Sequence, residues 1–375
     1  MSKRILYVRS GPYEVSLDAY NLQELGLACE LCKRGYIVDV MYYTKGKSRD
    51  ETITRKGEKI NILWRRGIKF LRSGIYPSIL KKDILSKYDI VICSEYSQLM
   101  SILLLQRHHN VYIYNGPYYN LFRIKPIEKI YDKLFCNYIN KKSKKIFCKT
   151  KMSEKYLNNK GITNTVTVGV GLDTDIFDKK TPPDKKTKKI LSKMRGHKNI
   201  LYIGSISKRK NVEFITKTFN TLCKKQDIKN LQLVIIGNGS SDYISKCKSS
   251  IEEQNRKKVI WLESISNAMT QYIYKASDVF LLASTEEIFG MVLLEAMYFG
   301  NIVISSNTAG AQTLIKNNYN GFVIDSYDTF SWERTITRAI TGDYSKIKHN
   351  AEKTIRDIFS WSNIANTINK YIIKG

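Results

Sequence analysis

The chain has 375 residues, with 62 Lys and Arg against 34 Asp and Glu and a formal net charge of +28. That length exceeds one small domain and suits two of ordinary size, with apolar residues enough for two cores. No run approaches the eighteen or so apolar residues of a spanning helix, and Met1-Ser2-Lys3-Arg4 leads straight into a strand-like Ile5-Leu6-Tyr7-Val8, so a cytoplasmic, non-spanning protein is expected. The seven cysteines are scattered and odd in number, which fits a reducing compartment. Cys29 and Cys32 share one face of a helical stretch and read as core residues, and the histidines lack zinc-site spacing. The basic excess is spread over both halves. Part is expected as the lysine enrichment of an AT-rich coding sequence, and part as attraction to an anionic membrane surface.

Taken in chain order, strands are predicted at Arg4 to Val8, Ile37 to Tyr43, Ile60 to Trp64, Ile90 to Cys93, Val111 to Tyr114 and Lys145 to Cys148. Helices are predicted between them, at Leu17 to Arg34, Ser78 to Ser86, Gln98 to Arg107, Ile127 to Ile139 and after Ser153. The polar stretch Thr181-Pro182-Pro183-Asp184-Lys185-Lys186 reads as a break. Beyond it, strands are predicted at Asn199 to Ile203, Leu231 to Ile236, Val259 to Leu262, Val279 to Leu282, Ile302 to Ile304 and Phe322 to Ile324, with helices between and a last helix near Trp361 to Ile373. This alternation predicts an α/β fold of two doubly wound Rossmann-like domains facing across a cleft. The expected division is 1–180, a linker at 181–198, 199–355, and a closing segment 356–375.

Chemistry concentrates in Ser284-Thr285-Glu286-Glu287-Ile288-Phe289-Gly290-Met291-Val292-Leu293-Leu294-Glu295-Ala296-Met297. An apolar strand runs into the loop holding Glu287, and a helix is expected from Gly290 or Met291. Its free N–H groups, around Ile288, Phe289, Gly290, Met291 and Val292, suit phosphate oxygens. Helical side chains lean toward the N-terminus, so Glu295 points back toward that site. One carboxylate thus lies on each side of an anion site.

This run resembles the E-x7-E signature of retaining glycosyltransferase family 4 (glycosyl transferases group 1), with Glu287 and Glu295 as the acids. The resemblance implies the GT-B arrangement, a last helix that crosses back onto the first domain, and a nucleotide-sugar donor. On the family's pattern, Glu295 binds the ribose hydroxyls and Glu287 the donor sugar. Ser205-Ile206-Ser207-Lys208-Arg209-Lys210 stands where the family has Gly-Arg-x4-Lys. Lys210 matches the lysine and is expected against the diphosphate, where one preorganised donor is worth about 3 kcal/mol. Ser205 replaces the arginine, and Arg209 or Lys208 is the candidate substitute. Gly237-Asn238-Gly239 resembles the family's Gly-x-Gly, a tight turn in which glycine tolerates positive φ. Ala309-Gly310 stands where the family often has paired glycines, Thr313 replaces a frequent glutamate, and Asn320-Gly321-Phe322 fits the family's closing Asn-Gly-Phe.

In the first half, Ser10-Gly11-Pro12-Tyr13 stands for the family's glycine loop, with Gly11 its remaining glycine, and Asn115 stands where relatives place a histidine near the reacting sugar. Asp173-Thr174-Asp175 invites a metal-binding reading, which the resemblance replaces with a structural one; no metal or other cofactor is expected. Lys59 to Arg72 mixes basic and bulky apolar residues and reads as an interfacial segment. A second cluster, Lys141-Lys142 with Lys144, Lys145, Lys149 and Lys151, is basic but less apolar.

The function so implied is retaining, metal-independent transfer from a UDP-sugar to a glycan or lipid-linked glycan in bacterial surface polysaccharide synthesis, at the cytoplasmic face of the inner membrane. Attack comes from the front face, the departing phosphate receiving the acceptor's proton. The alternatives are a nucleotide-sugar 2-epimerase of the same fold and a nucleic-acid binder suggested by charge alone, which no aromatic RNA-binding or zinc pattern supports, so no nucleic acid is expected.

Overall fold

Runs such as Ile5-Leu6-Tyr7-Val8 and Leu233-Val234-Ile235-Ile236 are apolar on both faces, and such strands are stable only in a parallel sheet covered by helices on each side. The computed structural model describes residues 2–374 apart from 18–21, 71, 123, 175, 176, 178–180, 226 and 227. The chain divides into two units, Met1–Asp173 with Ser360–Gly375, and Thr174–Phe359.

The first unit contains β1 (Arg4–Val8), β2 (Ile37–Tyr43), β3 (Arg49–Arg55), β4 (Glu58–Arg65), β5 (Ile68–Phe70), β6 (Ser73–Ile75), β7 (Ile90–Ser94), β8 (Val111–Asn115), β9 (Lys145–Cys148) and β10 (Thr165–Thr167). Eight of them form one sheet in the order β10-β9-β8-β7-β1-β2-β4-β3. The pairings are parallel except β3 with β4. The strand β3 is absent from the sequence reading because its residues, RDETITR, are polar and largely exposed on a sheet edge. Strands β5 and β6 make a small antiparallel hairpin. Helix Gln23–Cys32 is shorter than the predicted Leu17 to Arg34, of which 18–21 lie outside the described residues. The predicted helix Ser78 to Ser86 reduces to Lys82–Leu85, whereas Ile127 to Ile139 extends to Lys125–Lys142, with Pro126 in its first turn. The expected interfacial segment Lys59 to Arg72 is corrected for its apolar first half: Ile60, Ile62, Leu63 and Trp64 are buried in β4, while Lys59, Arg66 and the hairpin residues Ile68, Lys69 and Phe70 are exposed.

The second unit holds β11 (Lys198–Ile203), β12 (Leu231–Ile236), β13 (Val259–Leu262), β14 (Val279–Leu282), β15 (Ile302–Ser306) and β16 (Phe322–Ile324), all parallel, in the order β13-β12-β11-β14-β15-β16. Successive strands run outward from β11 to β13, and then the chain returns to the other side of β11. That reversal is a topological switch point, and it lies between the carboxyl ends of β11 and β14. The stretch 181–198, expected as a linker, carries helix Lys185–Met194. The Pro182-Pro183 pair that reads as a break leads into a helix start, where Asp184 Oδ1 accepts from Thr187 N at 2.7 Å and Ile190 and Met194 are buried.

The last helix, Trp361–Lys374, packs against Gln23–Cys32 of the first unit, as the family resemblance implies. Trp361 is 2% exposed and is wedged where two glycines leave room. Arg34 Nη2 donates to Ser362 O at 2.9 Å and to Asn366 Oδ1 at 2.6 Å, and Tyr36 Oη donates to Asn369 Oδ1 at 2.7 Å. A Cβ at Gly26 would lie 2.3 Å from Trp361 Nε1. Gly26→Ala should therefore cost about 1–3 kcal/mol and speed amide exchange across 361–374; unchanged exchange there would contradict this packing.

Candidate functional site

Two loops leave the switch point of the second unit. After β11 the chain passes through Gly204, exposed Ser205 and Ile206 into a single turn, Lys208–Lys210, closed by Asn211 in the left-handed region at φ 52°. The turn carries Lys210 inward to 8% exposure while Lys208 and Arg209 stay exposed. After β14 the chain runs through buried Ser284 to Glu287. The loops are tied by Thr285 N donating to Arg209 O at 2.8 Å and by Arg209 Nη1 donating to Glu286 O at 2.5 Å. Lys210 Nζ then makes an ion pair with Glu287 Oε2, and Arg209 Nη1 lies 3.5 Å from the same oxygen. Burial and the Glu287 carboxylate together push the nearby Tyr202 hydroxyl pKa up, and that hydroxyl donates to Ser205 O at 2.8 Å.

Glycines set how closely these loops approach their neighbours. Gly237 does not take the positive φ that such a turn tolerates; its need is for space: a Cβ there would lie 1.8 Å from Gly204 O, and one at Gly239 would lie 1.9 Å from Ile206 O. The two loops zip together through Gly204 N to Ile236 O at 3.0 Å and Ile206 N to Asn238 O at 2.8 Å. At Gly310 a Cβ would meet Phe289 O at 2.0 Å, so the loop from Glu287 to Gly290 rests directly on the backbone at Ala309–Gly310. Gly290 adopts φ 78°, turning the chain into helix Met291–Tyr298.

On that helix Glu295 is 5% exposed and accepts a hydrogen bond from Tyr274 Oη at 2.8 Å. Tyr274 stacks on Phe299, ring centroids 5.5 Å apart, so the hydroxyl is held by an aromatic core. Phe289 is 3% exposed and packs on Phe359, whereas Ile288, Met291 and Val292 are half-buried. The structure thus unites Lys210, Arg209 and Glu287 in one set of contacts and gives Glu295 a different partner.

Gly11 and Asn115 belong to the first unit. Asn115 is fully buried: Oδ1 accepts from Tyr96 N at 3.2 Å, and Nδ2 donates to Pro117 O at 3.1 Å and Ser153 Oγ at 2.8 Å. Its amide nitrogen is thus spent in tying the loop at Pro117 to the first turn of helix Lys151–Asn158. Asp173 is 6% exposed between Arg55 and Lys56, with Lys56 Nζ at 3.3 Å. Burial works against its charge, but the two cations hold the carboxyl below the usual range. Its partner in the metal-binding reading, Asp175, lies outside the described residues.

Sequence reasoning passed over Tyr274, Thr285 and Ser284. Ser284 is fully buried, its carbonyl accepts from Ser306 Oγ at 2.6 Å and Tyr327 Oη at 2.8 Å, and its Oγ has no partner among the described residues. The only local signal was a pair of hydroxyl residues ending an apolar strand.

Residues 183–357 match the family model described as glycosyl transferases group 1. That segment carries the family's pattern. Among curated relatives, an uncharacterized glycosyltransferase of Methanocaldococcus jannaschii is 31% identical over 180 residues, 47% of this chain and 45% of the relative. The UDP-Gal:alpha-D-GlcNAc-diphosphoundecaprenol alpha-1,3-galactosyltransferase of Escherichia coli is 28% identical over 204 residues, 53% of this chain and 51% of the relative. The chain spans about half the length of the curated relatives it matches. Its fold is similar to that of Anabaena HepE solved in complex with UDP, at TM-score 0.75 and 15% identity over 99% of this chain and 100% of that one. It is also similar to an E. coli trehalose-6-phosphate protein solved with UDP-2-fluoro glucose, at TM-score 0.73 and 14% identity over 98% of each chain. These likenesses show the GT-B fold.

Tyr274→Phe removes a donor from a buried carboxylate and should cost about 1.5–3 kcal/mol in urea denaturation. A midpoint equal to wild type would show that the hydroxyl does not support Glu295.

Proposed function

We propose that the protein is a retaining, metal-independent glycosyltransferase that moves a sugar from a nucleotide-sugar, a UDP-sugar first among them, to a glycan acceptor, probed first as a lipid-linked one. The observation that carries this reading is the ion pair of buried Lys210 with half-buried Glu287 at the switch point of the second unit, within the segment that matches glycosyl transferases group 1. A lysine in this place meets the donor's diphosphate and stabilises the charge that grows as the sugar leaves. Arg209, already drawn to Glu287, takes the phosphate contact that an arginine at Ser205 would otherwise make. Glu287 serves the donor sugar and orients the lysine. Glu295, steadied by Tyr274, serves the ribose hydroxyls. In the retaining step the acceptor attacks from the face the phosphate leaves, and the phosphate oxygen takes its proton.

Lys210→Ala and Glu295→Ala should each lower donor-dependent transfer by about a hundredfold in protein shown to be folded by circular dichroism. Near-normal turnover in both would refute the assignment. Incubation without acceptor separates the 2-epimerase alternative, because a transferase then leaves the sugar nucleotide unepimerised.

The acceptor's place on a membrane has its own support in the first unit. Ile68 and Phe70 are 62% and 51% exposed on the β5–β6 hairpin beside Lys69. Ile124, Ile130 and Leu134, each more than half exposed, are interleaved with Lys125, Lys129 and Lys133 along the helix Lys125–Lys142. Arg72 Nη1 donates to Leu121 O at 2.9 Å and ties the two together. Among the described residues no helix is long and apolar enough to cross a membrane. Basic residues mixed with exposed apolar ones suit the anionic interface of the inner leaflet, at about 1 kcal/mol per basic residue near the surface. Co-sedimentation should require vesicles with anionic lipid and should weaken with salt and in Ile130→Ser/Leu134→Ser; binding indifferent to lipid charge would overturn it.

A further inference from the structure

The sheet of the first unit also reverses its order. Strands β2 and β4 lie on one side of β1 and β7 to β10 on the other, so the loops leaving β1 and β7 flank a second switch point. A cavity of about 250 Å³ opens there, lined in part by Arg9, Glu24, Arg72, Glu95, Gln98 and Lys149.

Its polar groups are only partly matched. Gln98 is 5% exposed; its Nε2 donates to Glu95 Oε2 at 3.2 Å, and its Oε1 has no partner among the described residues. Arg9 Nε lies 3.6 Å from Glu24 Oε1 and Nη2 donates to Tyr13 Oη at 3.0 Å, while buried Nη1 has no partner among the described residues. Lys149 makes no ion pair among the described residues, and its Nζ lies 5.1 Å from the centre of the Tyr114 ring. Burial pushes its pKa down, against the pull of Glu95 and Glu24, and Arg9 adds to the depression. Glu95 adopts φ 64°, a conformation that costs a non-glycine residue about 1 kcal/mol or more. That backbone is clamped by Glu95 N donating to Tyr114 O at 3.2 Å and by Ser101 Oγ donating to Glu95 O at 2.8 Å.

Three cations therefore face two carboxylates, one of which already serves Arg9. A neutral sugar would leave the excess positive charge of the site, and the unpartnered Arg9 Nη1, desolvated and unmatched. A phosphoryl group supplies anionic oxygens for them, and the free Gln98 Oε1 and the Glu95 carboxylate accept from hydroxyls. We propose that this cavity holds the acceptor by a phosphoryl group attached to a sugar or polyol, with Lys149, Arg9 and Arg72 on the phosphate oxygens and Glu95 and Gln98 on the hydroxyls. This rests on the glycosyltransferase reading and names its acceptor class.

The test measures binding without donor, by calorimetry, with inorganic phosphate, glucose 6-phosphate and glucose, then with GlcNAc-diphosphoprenol in phosphatidylcholine vesicles. Glucose 6-phosphate or the vesicle-borne diphosphate should bind at least tenfold more tightly than glucose, and whichever binds identifies a free or a lipid-borne source. Lys149→Gln and, at the exposed rim, Arg72→Gln should each weaken that binding about tenfold, Lys149→Arg should restore most of it, and the affinity for UDP should not change. Equal binding of glucose and its phosphate, or no effect of either glutamine variant, overturns the proposal. An equal loss of UDP affinity in both variants also overturns it, since the cavity then serves the donor. Donor-dependent transfer without any phosphate preference overturns this inference alone, whereas phosphate binding without transfer to any acceptor strikes the transferase reading and the acceptor role with it.

Discussion

A lysine brought down to 8% exposure must have a counter-charge, and in the second unit Glu287 supplies it from a loop 77 residues further along the chain. Lys210 alone would be a buried uncompensated charge, at a cost of about 3–5 kcal/mol, whereas half-buried Glu287 would keep Arg209 at 3.5 Å. The pair therefore couples two loops that the strand order merely places side by side. The surrounding features serve that coupling: Thr285 fixes the Arg209 carbonyl, Gly237 and Gly239 admit the β11 loop, and Gly310 lets the Glu287 loop lie flat on the next helix. A cation held this way is preorganised for the phosphate oxygens of the proposed donor, which is the condition for strong electrostatic stabilisation of a leaving group.

Both units place their chemistry by the same topological rule, with opposite electrostatic outcomes. In the second unit the cation at the reversal is matched by a carboxylate within the protein. In the first, Arg9 is matched on one edge only and Lys149 leans on an aromatic face. Glu295 differs from both: the Tyr274 hydroxyl, anchored in an aromatic cluster, donates to it and helps fix its direction.

Much of the second unit was legible in the sequence because each strand is a short apolar run bounded by turns, so strand limits fell within a residue or two of those observed. In the first unit β3 escaped because an exposed edge strand has no apolar face to announce it, and the helix at Lys185–Met194 escaped because two prolines read equally as a break or as a helix entry. Of the site, Lys210 and Glu287 were picked out by resemblance to the family's motifs and the helix start near Gly290 by the end of the apolar strand, whereas the left-handed turn at Gly290 was not foreseen. Gly237 was found for the wrong reason, since close backbone approach leaves no mark that separates it from a turn. Tyr274 and the buried network of Asn115 were not legible, because they depend on contacts made 19 to 38 residues away between elements whose facing sides only the fold decides.

The central claim is that Lys210 and Glu295 mark the two ends of a bound nucleoside diphosphate. A crystal structure of the protein with UDP tests it most directly: diphosphate oxygens within hydrogen-bond distance of Lys210 Nζ and ribose hydroxyls on the Glu295 carboxylate are predicted. A nucleotide bound with its phosphates away from Lys210, or a protein that takes up no UDP at millimolar concentration, would contradict it.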